Sequence, residues 1–491
     1  MSVNISDFIS KHQVIGQPIN LAKDEKTSLW NRLLETLQDD AKNLEHLQAL
    51  TALKIMSRDK TNLDDLIDER MINQLLKFTG IAPDLLRKNL TDQIQAVISE
   101  AQRCLHNFLL QSGVARALCA KNETLPGIMN LVPSFRDLNI PHAILVFDLK
   151  IAFLITALCQ ETRKQMYLEQ RGVPRLLALI QSLVSNAKDR GQERSGTHPT
   201  LSCEEVNVLN EVPWNCINLL NNVPIKCTDP LLGTLKKDIV PSGIEELEYD
   251  GSGMNAIQAI LNVLLHKIDH PGEDTSLQDA ITPVLCVLCN LSRYHRQVRK
   301  YLRARILPPL KDVSHRPEVG NDARNKLCKL LTSTSDSVAQ TVAEFLFILC
   351  KESVSRLVKY SGYGNAAGLL ARRGLMLGGR GDNAGNYSDE EDSDTEEYLE
   401  NAHKVNPIVG CVEPTRPSPF EGMSEEQKEY EAMKLVNLIH ELNNVGVVKP
   451  AIPGPDGRPQ EIDHVLQLQE AAARNAGTAN DTNEDSDQDE N

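Results

Sequence analysis

Three observations predict an all-α protein built from stacked helical repeats. Aromatic residues make up 4% of the 491-residue chain, too few for a typical β-sandwich. Apolar residues recur at helical spacing in one segment after another as far as Leu370. These segments also share one layout, an apolar run, a polar or basic elbow and a second short apolar run, so each has a stripe it cannot bury alone. A chain this long exceeds what one compact core usually supports, which leaves several domains or one elongated array.

The repeating segments are "LTALKIMSRDKTNLDDLIDERMINQLLKF" (50–78), "AQRCLHNFLLQSGVARALCAKNETLPGIMNLV" (101–132) and "KIAFLITALCQETRKQMYLEQRGVPRLLALI" (150–180), then "ITPVLCVLCNLSRYHRQVRKYLRARILPPL" (281–310) and "TVAEFLFILCKESVSRLVKYSGYGNAAGLL" (341–370). Stacking such helix pairs or triplets makes a continuous core, the logic of armadillo and HEAT arrays. An armadillo/HEAT-like right-handed superhelical solenoid is therefore expected over 1–373. A polar residue recurs after the first apolar run of each unit: Arg58, Asn107, Gln160, Asn290 and Lys351, with Asn221 a sixth. In armadillo-like arrays this position faces the concave groove and bonds a peptide backbone; ordinary helix termination by Asn is the plainer alternative. Residues 186–200 and 269–276 read as loops.

From "GLMLGGRGDNAGN" onwards glycine and acid replace periodicity, so 374–423 reads as a linker, Gly-rich and then acidic and disordered. "GYGNAAG" (362–368) has one residue too many for GxGxxG and reads as a tight turn. A last amphipathic helix is expected over 424–447, opened by a capping box of Ser424 and Gln427. Its stripe of Met433, Leu435, Val436, Ile439 and Leu442 needs a surface to cover. The remaining 448–491 is expected to be an acidic, disordered tail.

Charge narrows the partners. With 52 Lys plus Arg against 67 Asp plus Glu, the formal charge is −15, which argues against nucleic acid or acidic membranes and for a protein or small molecule. The amino terminus shows no basic leader before an apolar stretch, so no secretory signal is expected. "AILVFDLKIAFLITAL" carries Asp148 and Lys150, which disfavours a membrane span. A cytoplasmic protein is expected. Most of the 11 cysteines sit inside apolar periodic runs as small hydrophobes, and the Cys286/Cys289 CxxC lacks a second pair at zinc spacing. No metal and no cofactor are expected. GxxxxGK[ST], GxSxG and HExxH are all absent, and no catalytic constellation is visible.

Two charged segments complement each other. In "HRQVRKYLRAR", Arg296, Arg299, Lys300 and Arg303 fall on one helical face, either simply solvated or facing an anion. "NYSDEEDSDTEEY" (386–398) supplies the anion, and Ser388 and Ser393 each have a glutamate at +3, the pattern of an acidophilic kinase such as casein kinase II. Phosphorylation would add oxygens suited to Arg forks, making this segment a strap.

Several stretches together resemble the synembryn family: "RPEVGNDARNKLCKLLTS", "AEFLFILCKESVSRLVKYSGYGNAAGLLARRGLM", "DEEDSDTEEY" and "PFEGMSEEQKEYEAMKLVNLI". The likeness is dense from Ile281 to Val448 and thinner through "IMSRDK", "FDLKIAFLITAL" and "NLLNNVPIKC". It implies an armadillo/HEAT-like superhelix acting on heterotrimeric G-protein α subunits (Gα), as a receptor-independent guanine nucleotide exchange factor and a folding chaperone. The groove would capture the carboxyl-terminal helix of Gα, releasing GDP with no covalent chemistry, and recruitment to the cell cortex would follow through Gα. Lys54 and Arg58 match the family's basic pair, with Lys54 in place of an arginine, and Asn107 matches its groove asparagine. Ser388 and Ser393 match its phosphoacceptors, Arg296, Arg299, Lys300 and Arg303 its docking helix, and the helix from Ser424 its contact with the Gα switch region.

One departure stands out. At the Glu211–Val212 junction the family has about one further repeat, and losing a repeat changes groove length and the rotation between its halves. A scaffold that binds Gα or another helix without promoting exchange is thus the second reading. A nuclear-import adaptor is the third, although such grooves carry Trp arrays and this chain has 2 Trp.

Overall fold

The computed structural model describes residues 4–14, 19, 21–81, 87, 90–135, 140–169, 171–180, 203–233, 247–271, 276–387, 394–413, 422–447 and 449–462. Among the described residues the secondary structure is helical apart from three two-stranded hairpins and an isolated bridge between Ser353 and Arg380, and the fold is an all-α solenoid. The chain divides into two compact units, Met1–Tyr301 and Leu302–Asn491, a boundary that falls inside one helix.

In the first unit the repeats appear as helix triplets. The first triplet is α3 (His46–Met56), α4 (Leu63–Leu66) and α5 (Glu69–Thr79), preceded by α1 (Ile5–His12) and α2 (Lys23–Gln38). The second is α6 (Asp92–Gln111), α7 (Gly113–Lys121) and α8 (Thr124–Ser134). The third is α9 (His142–Leu158), α10 (Gln160–Lys164) with a π-turn, and α11 over 172–180. Then come α12 (Cys203–Asn221), α13 (Asn255–Asp269), α14 (Leu277–Tyr294) and the start of α15 (Arg296–Ile306).

The long helices stack in one row, α3 on α6, α6 on α9, α9 on α12 and α12 on α14. Small buried residues let the backbones approach: Ala49 and Ala52 on α3, Ala101 and Cys104 on α6, Ala152 on α9 and Cys216 on α12 are all fully buried. The helices stop where local chemistry stops them. Gly80, at φ +64°, closes α5, while Asp68, Thr91 and Ser276 cap the N-termini of α5, α6 and α14 with side-chain oxygens. Ser112 ends α6 and caps α7.

Asp148, the charge that interrupts the most apolar helix, is fully buried, and Arg87 meets it through Nη1 at 2.5 Å and Nη2 at 2.9 Å. Arg87 Nη2 also donates to the Thr79 carbonyl at 2.8 Å, and Gln102 Nε2 donates to Asp148 at 2.7 Å. One carboxylate thus ties the end of α5, the following loop, α6 and α9 together. No single helix among the described residues is long and apolar enough to cross a membrane.

The second unit holds α16 (Ala323–Leu330), α17 (Asp336–Leu349), α18 (Val354–Ser361), α19 (Tyr363–Arg373), α20 (Glu396–Ala402) and α21 (Glu425–Asn444). The tight turn expected at 362–368 is confined to Gly362, at φ +76°, and α19 starts at the next residue. The reason lies far along the chain. The Pro407 and Ile408 carbonyls, between the strands Val405–Asn406 and Cys411–Val412, accept from the amides of Tyr363 and Gly364 at 2.8 and 2.9 Å. Amides that could have cradled a phosphate are thereby taken.

The Gly-rich run is held as well. Glu352, buried at φ +51°, accepts from Asn383 N and Nδ2, each at 3.2 Å, and from Tyr387 Oη at 3.0 Å. Within the acidic stretch, Thr395 caps α20 by accepting from Tyr398 N at 3.2 Å and donates to the Leu310 carbonyl at 2.5 Å, while Asp394 pairs with Lys359. That part of the expected linker is therefore a capped helix followed by a hairpin.

Replacing Asp148 with Ala would leave a guanidinium buried without its counter-charge. Urea unfolding should show a loss of about 3–5 kcal/mol.

Candidate functional site

The row of long helices presents one connected strip of polar and aromatic side chains. Lys54 on α3 pairs with Glu100 on α6 at 2.5 Å, and Arg103, one turn later on α6, reaches the same carboxylate at 2.8 Å. The Arg103 guanidinium lies 5.7 Å from the ring centre of Phe147 on α9, and Lys150 Nζ lies 5.2 Å from it. His106 meets that ring edge-on at 5.9 Å. Phe147, half-buried, thus has two cations and an imidazole around it. Burial holds His106 below its usual value, and the Lys150 charge adds to this, so the ring is neutral near pH 7.

Asn107 and Arg58 belong to the elbow end of the same strip. Ser57 Oγ donates to the Lys54 carbonyl at 2.6 Å, so toward Asn107 it can only accept, and Asn107 Nδ2 stands 2.9 Å away. The amide keeps a second N–H and a second acceptor lone pair for a ligand. Arg58, partly exposed, follows Ser57 directly.

Further along, the elbow contributes Asn222 as well as Asn221. Asn222 Nδ2 donates to Thr156 Oγ1 on α9 at 3.0 Å, and Asn221 Nδ2 to the Pro283 carbonyl on α14 at 3.0 Å. Beyond them a cavity of about 400 Å³ opens between α12 and α14, walled by Leu220, Val223, Val287 and Leu291, with exposed Asn290 and Tyr294 among its lining. Gln160 is exposed at the first position of α10. Lys351, the last of the recurring polar residues, lies in the second unit at φ +56°.

The basic face of α15 is less uniform than its spacing implies. Arg299 is 5% exposed and donates to the Ser292 carbonyl at 2.8 Å, closing the end of α14, and Lys300 lies 3.8 Å from Asp250. Arg296 is exposed, and Arg303 sits 6.0 Å from the Tyr360 ring centre in the second unit. Ser388 and Ser393 lie outside the described residues. On α21, Ser424 and Gln427 form the expected capping box, and none of the helix is buried: Met433 is 65% and Leu435 57% exposed, with Val436 and Ile439 intermediate.

Sequence reasoning missed Glu100, Arg103, His106, Phe147 and Lys150. The signal was present in part, since Glu100 and Arg103 precede Asn107 at helical spacing and Phe147 precedes Lys150 by three. That the two pairs converge depends on the register of α6 against α9, which one helix does not contain. No group of three or more His, Cys, Asp or Glu side chains among the described residues is placed to hold a metal.

Fold and strip together define a helical-repeat protein whose successive long helices present one continuous face. The family described as guanine nucleotide exchange factor synembryn matches residues 49–213 and 199–458, two blocks that overlap around the Glu211–Val212 junction. "Chaperone Ric-8A" of Danio rerio is 35% identical over 523 aligned residues, covering 94% of this chain and 93% of the relative. "Chaperone Ric-8A" of Gallus gallus is 35% identical, covering 91% and 90%, and "Chaperone Ric-8" of Drosophila melanogaster 33%, covering 90% of each. A designed armadillo repeat protein superposes with a TM-score of 0.36 at 12% identity, covering 65% of this chain and 98% of that one, too weak a likeness to bear on the fold. The chain belongs to the synembryn family of guanine nucleotide exchange factors and chaperones.

Changing Phe147 to Leu keeps an apolar, somewhat smaller side chain at this half-buried position and removes the ring that Arg103 and Lys150 share. Stability should fall by less than about 1.5 kcal/mol in thermal melts, and the His106 titration followed by NMR should move.

Proposed function

We propose that this protein is a receptor-independent exchange factor and folding chaperone for heterotrimeric Gα subunits. The observation that carries this reading is the strip on α3, α6 and α9, where basic, amide and aromatic groups line successive helices of a solenoid whose family is that of exchange factors. A carboxyl-terminal Gα helix laid along it would meet Arg58 and Lys54 with its acidic or carbonyl groups, Asn107 with its backbone, and Phe147 with an apolar side chain. Asn290 and the α12/α14 cavity would continue this path, with Gln160 at its edge. Exchange then needs no reacting side chain: the groove favours the Gα state whose last helix is withdrawn, GDP leaves, and GTP binding reverses the preference.

The uncovered stripe of Met433, Leu435, Val436 and Ile439 is assigned to the Gα switch region, since large apolar side chains left in water mark an interface. Ser388 and Ser393 are assigned as casein kinase II acceptors. Their phosphates would dock on cations of α15, with Arg296 the accessible member, while Arg299 acts through the helix end it closes. The protein would work in the cytoplasm and reach the cell cortex through Gα.

A second reading has its own observation. Helix α12 runs from Cys203 to Asn221 straight across the Glu211–Val212 junction, and Asn215 Nδ2 bonds the Glu211 carbonyl at 2.8 Å inside it. A shortened array closed by a continuous helix could hold Gα without strain enough to open it, as a scaffold.

Uptake of a non-hydrolysable GTP analogue by GDP-loaded Gα separates the two. Acceleration by this protein, strengthened by casein kinase II treatment, is the expected result, and binding without acceleration would establish the scaffold. In a direct binding titration, Arg58→Ala and Asn107→Leu should each weaken capture of a Gα carboxyl-terminal peptide by about tenfold with helicity retained. Unaltered affinity would refute their placement.

A further inference from the structure

Lys26 is a buried lysine with no part in the strip just described. It projects from α2, its side chain is 5% exposed, and its ammonium is held by three acceptors of one elbow: Asp59 Oδ2 at 2.8 Å, the Thr61 carbonyl at 2.6 Å and the Asp59 carbonyl at 3.4 Å. Asp59 reinforces the same elbow by accepting from Thr61 N at 2.9 Å through its other oxygen. Burial pushes the Asp59 carboxyl up, but Lys26 and the Thr61 donors outweigh it and hold the group below its usual value.

From the opposite side, Asn107 clamps Ser57, and Ser112 Oγ donates to Asp64 at 2.5 Å. Arg58 is therefore the residue between two clamped neighbours, Ser57 and Asp59. Packing alone does not call for this lysine. Leu29, Trp30, Leu33 and Leu37 already bury α2, with Trp30 stacked on Phe108 at 5.5 Å, and a buried ion pair is generally replaceable by apolar side chains without loss of stability. A charge kept in such a place is best spent on geometry.

We infer that Lys26 is a positioning residue for the groove: it fixes the elbow so that the Arg58 guanidinium is presented from a set backbone to an anionic or carbonyl group of the bound segment. This rests on the groove reading above. Lys26 itself touches no ligand.

The test is a double-mutant cycle of Lys26→Met and Arg58→Ala in the full-length chain, read as the affinity of a fluorescent Gα carboxyl-terminal peptide, with helicity and melting temperature recorded for each variant. Lys26→Met should weaken binding by about five- to tenfold in the wild-type background and leave it nearly unchanged once Arg58 is gone. An equal effect in both backgrounds, or none in either, overturns the inference while wild-type binding and its sensitivity to Arg58 stand. Absence of peptide binding by the wild-type chain overturns the groove reading and this inference with it. Should Lys26→Met fail to fold, Asp59→Asn leaves the lysine its two carbonyl acceptors and enters the same cycle with the same criteria.

Discussion

The ion pair of Arg87 with Asp148 is the constraint on which the first unit depends. A carboxylate at the centre of the most apolar helix is unfavourable unless its charge and lone pairs are met, and Arg87 and Gln102 meet them from the loop before α6 and from α6 itself. Apolar stripes alone would let α9 slide or turn against α6, because such contacts are undirected. Gln102, donating from α6 to Asp148 and to the Ile144 carbonyl, gives the α6–α9 contact a direction, and the bidentate guanidinium ties the preceding loop to the same carboxylate. This arrangement brings Phe147, the residue before Asp148, between Arg103 and Lys150, so the composition of the candidate groove follows from a pair buried behind it.

The repeat architecture was legible because each unit carries its own stripe, and a stripe without a partner predicts a neighbour. Ser424 with Gln427 announced the last helix for a similar reason, the cap being complete within four residues. What stayed hidden depended on residues far apart in sequence. Arg299 looked like one of four cations on a face either solvated or turned to an anion, yet it donates to a carbonyl of the preceding helix. The segment after Gly362 looked like a turn because nothing nearby shows that Pro407 and Ile408 will cap a helix there.

The elbow asparagines bond across to neighbouring helical segments. Asn107 bonds Ser57, Asn222 bonds Thr156 and Asn221 bonds Pro283, so each ties its own helical segment to another. Asn221 and Asn222 each spend their amide N–H groups on two acceptors. In the proposed groove, shape and chemistry would then be set by the same side chains.

The second unit holds its chain at several points on either side of residues 388–393. Glu352 grips the chain through Asn383 and Tyr387, and Lys359 and Leu310 grip it again through Asp394 and Thr395. Farther on, the 407–408 carbonyls are seated on the first amides of α19. A single backbone cut between Tyr387 and Asp394 would therefore yield two pieces that stay associated, since each is bound to the shared helical body. Intactness on a denaturing gel and intactness of the native particle are separate properties of this molecule.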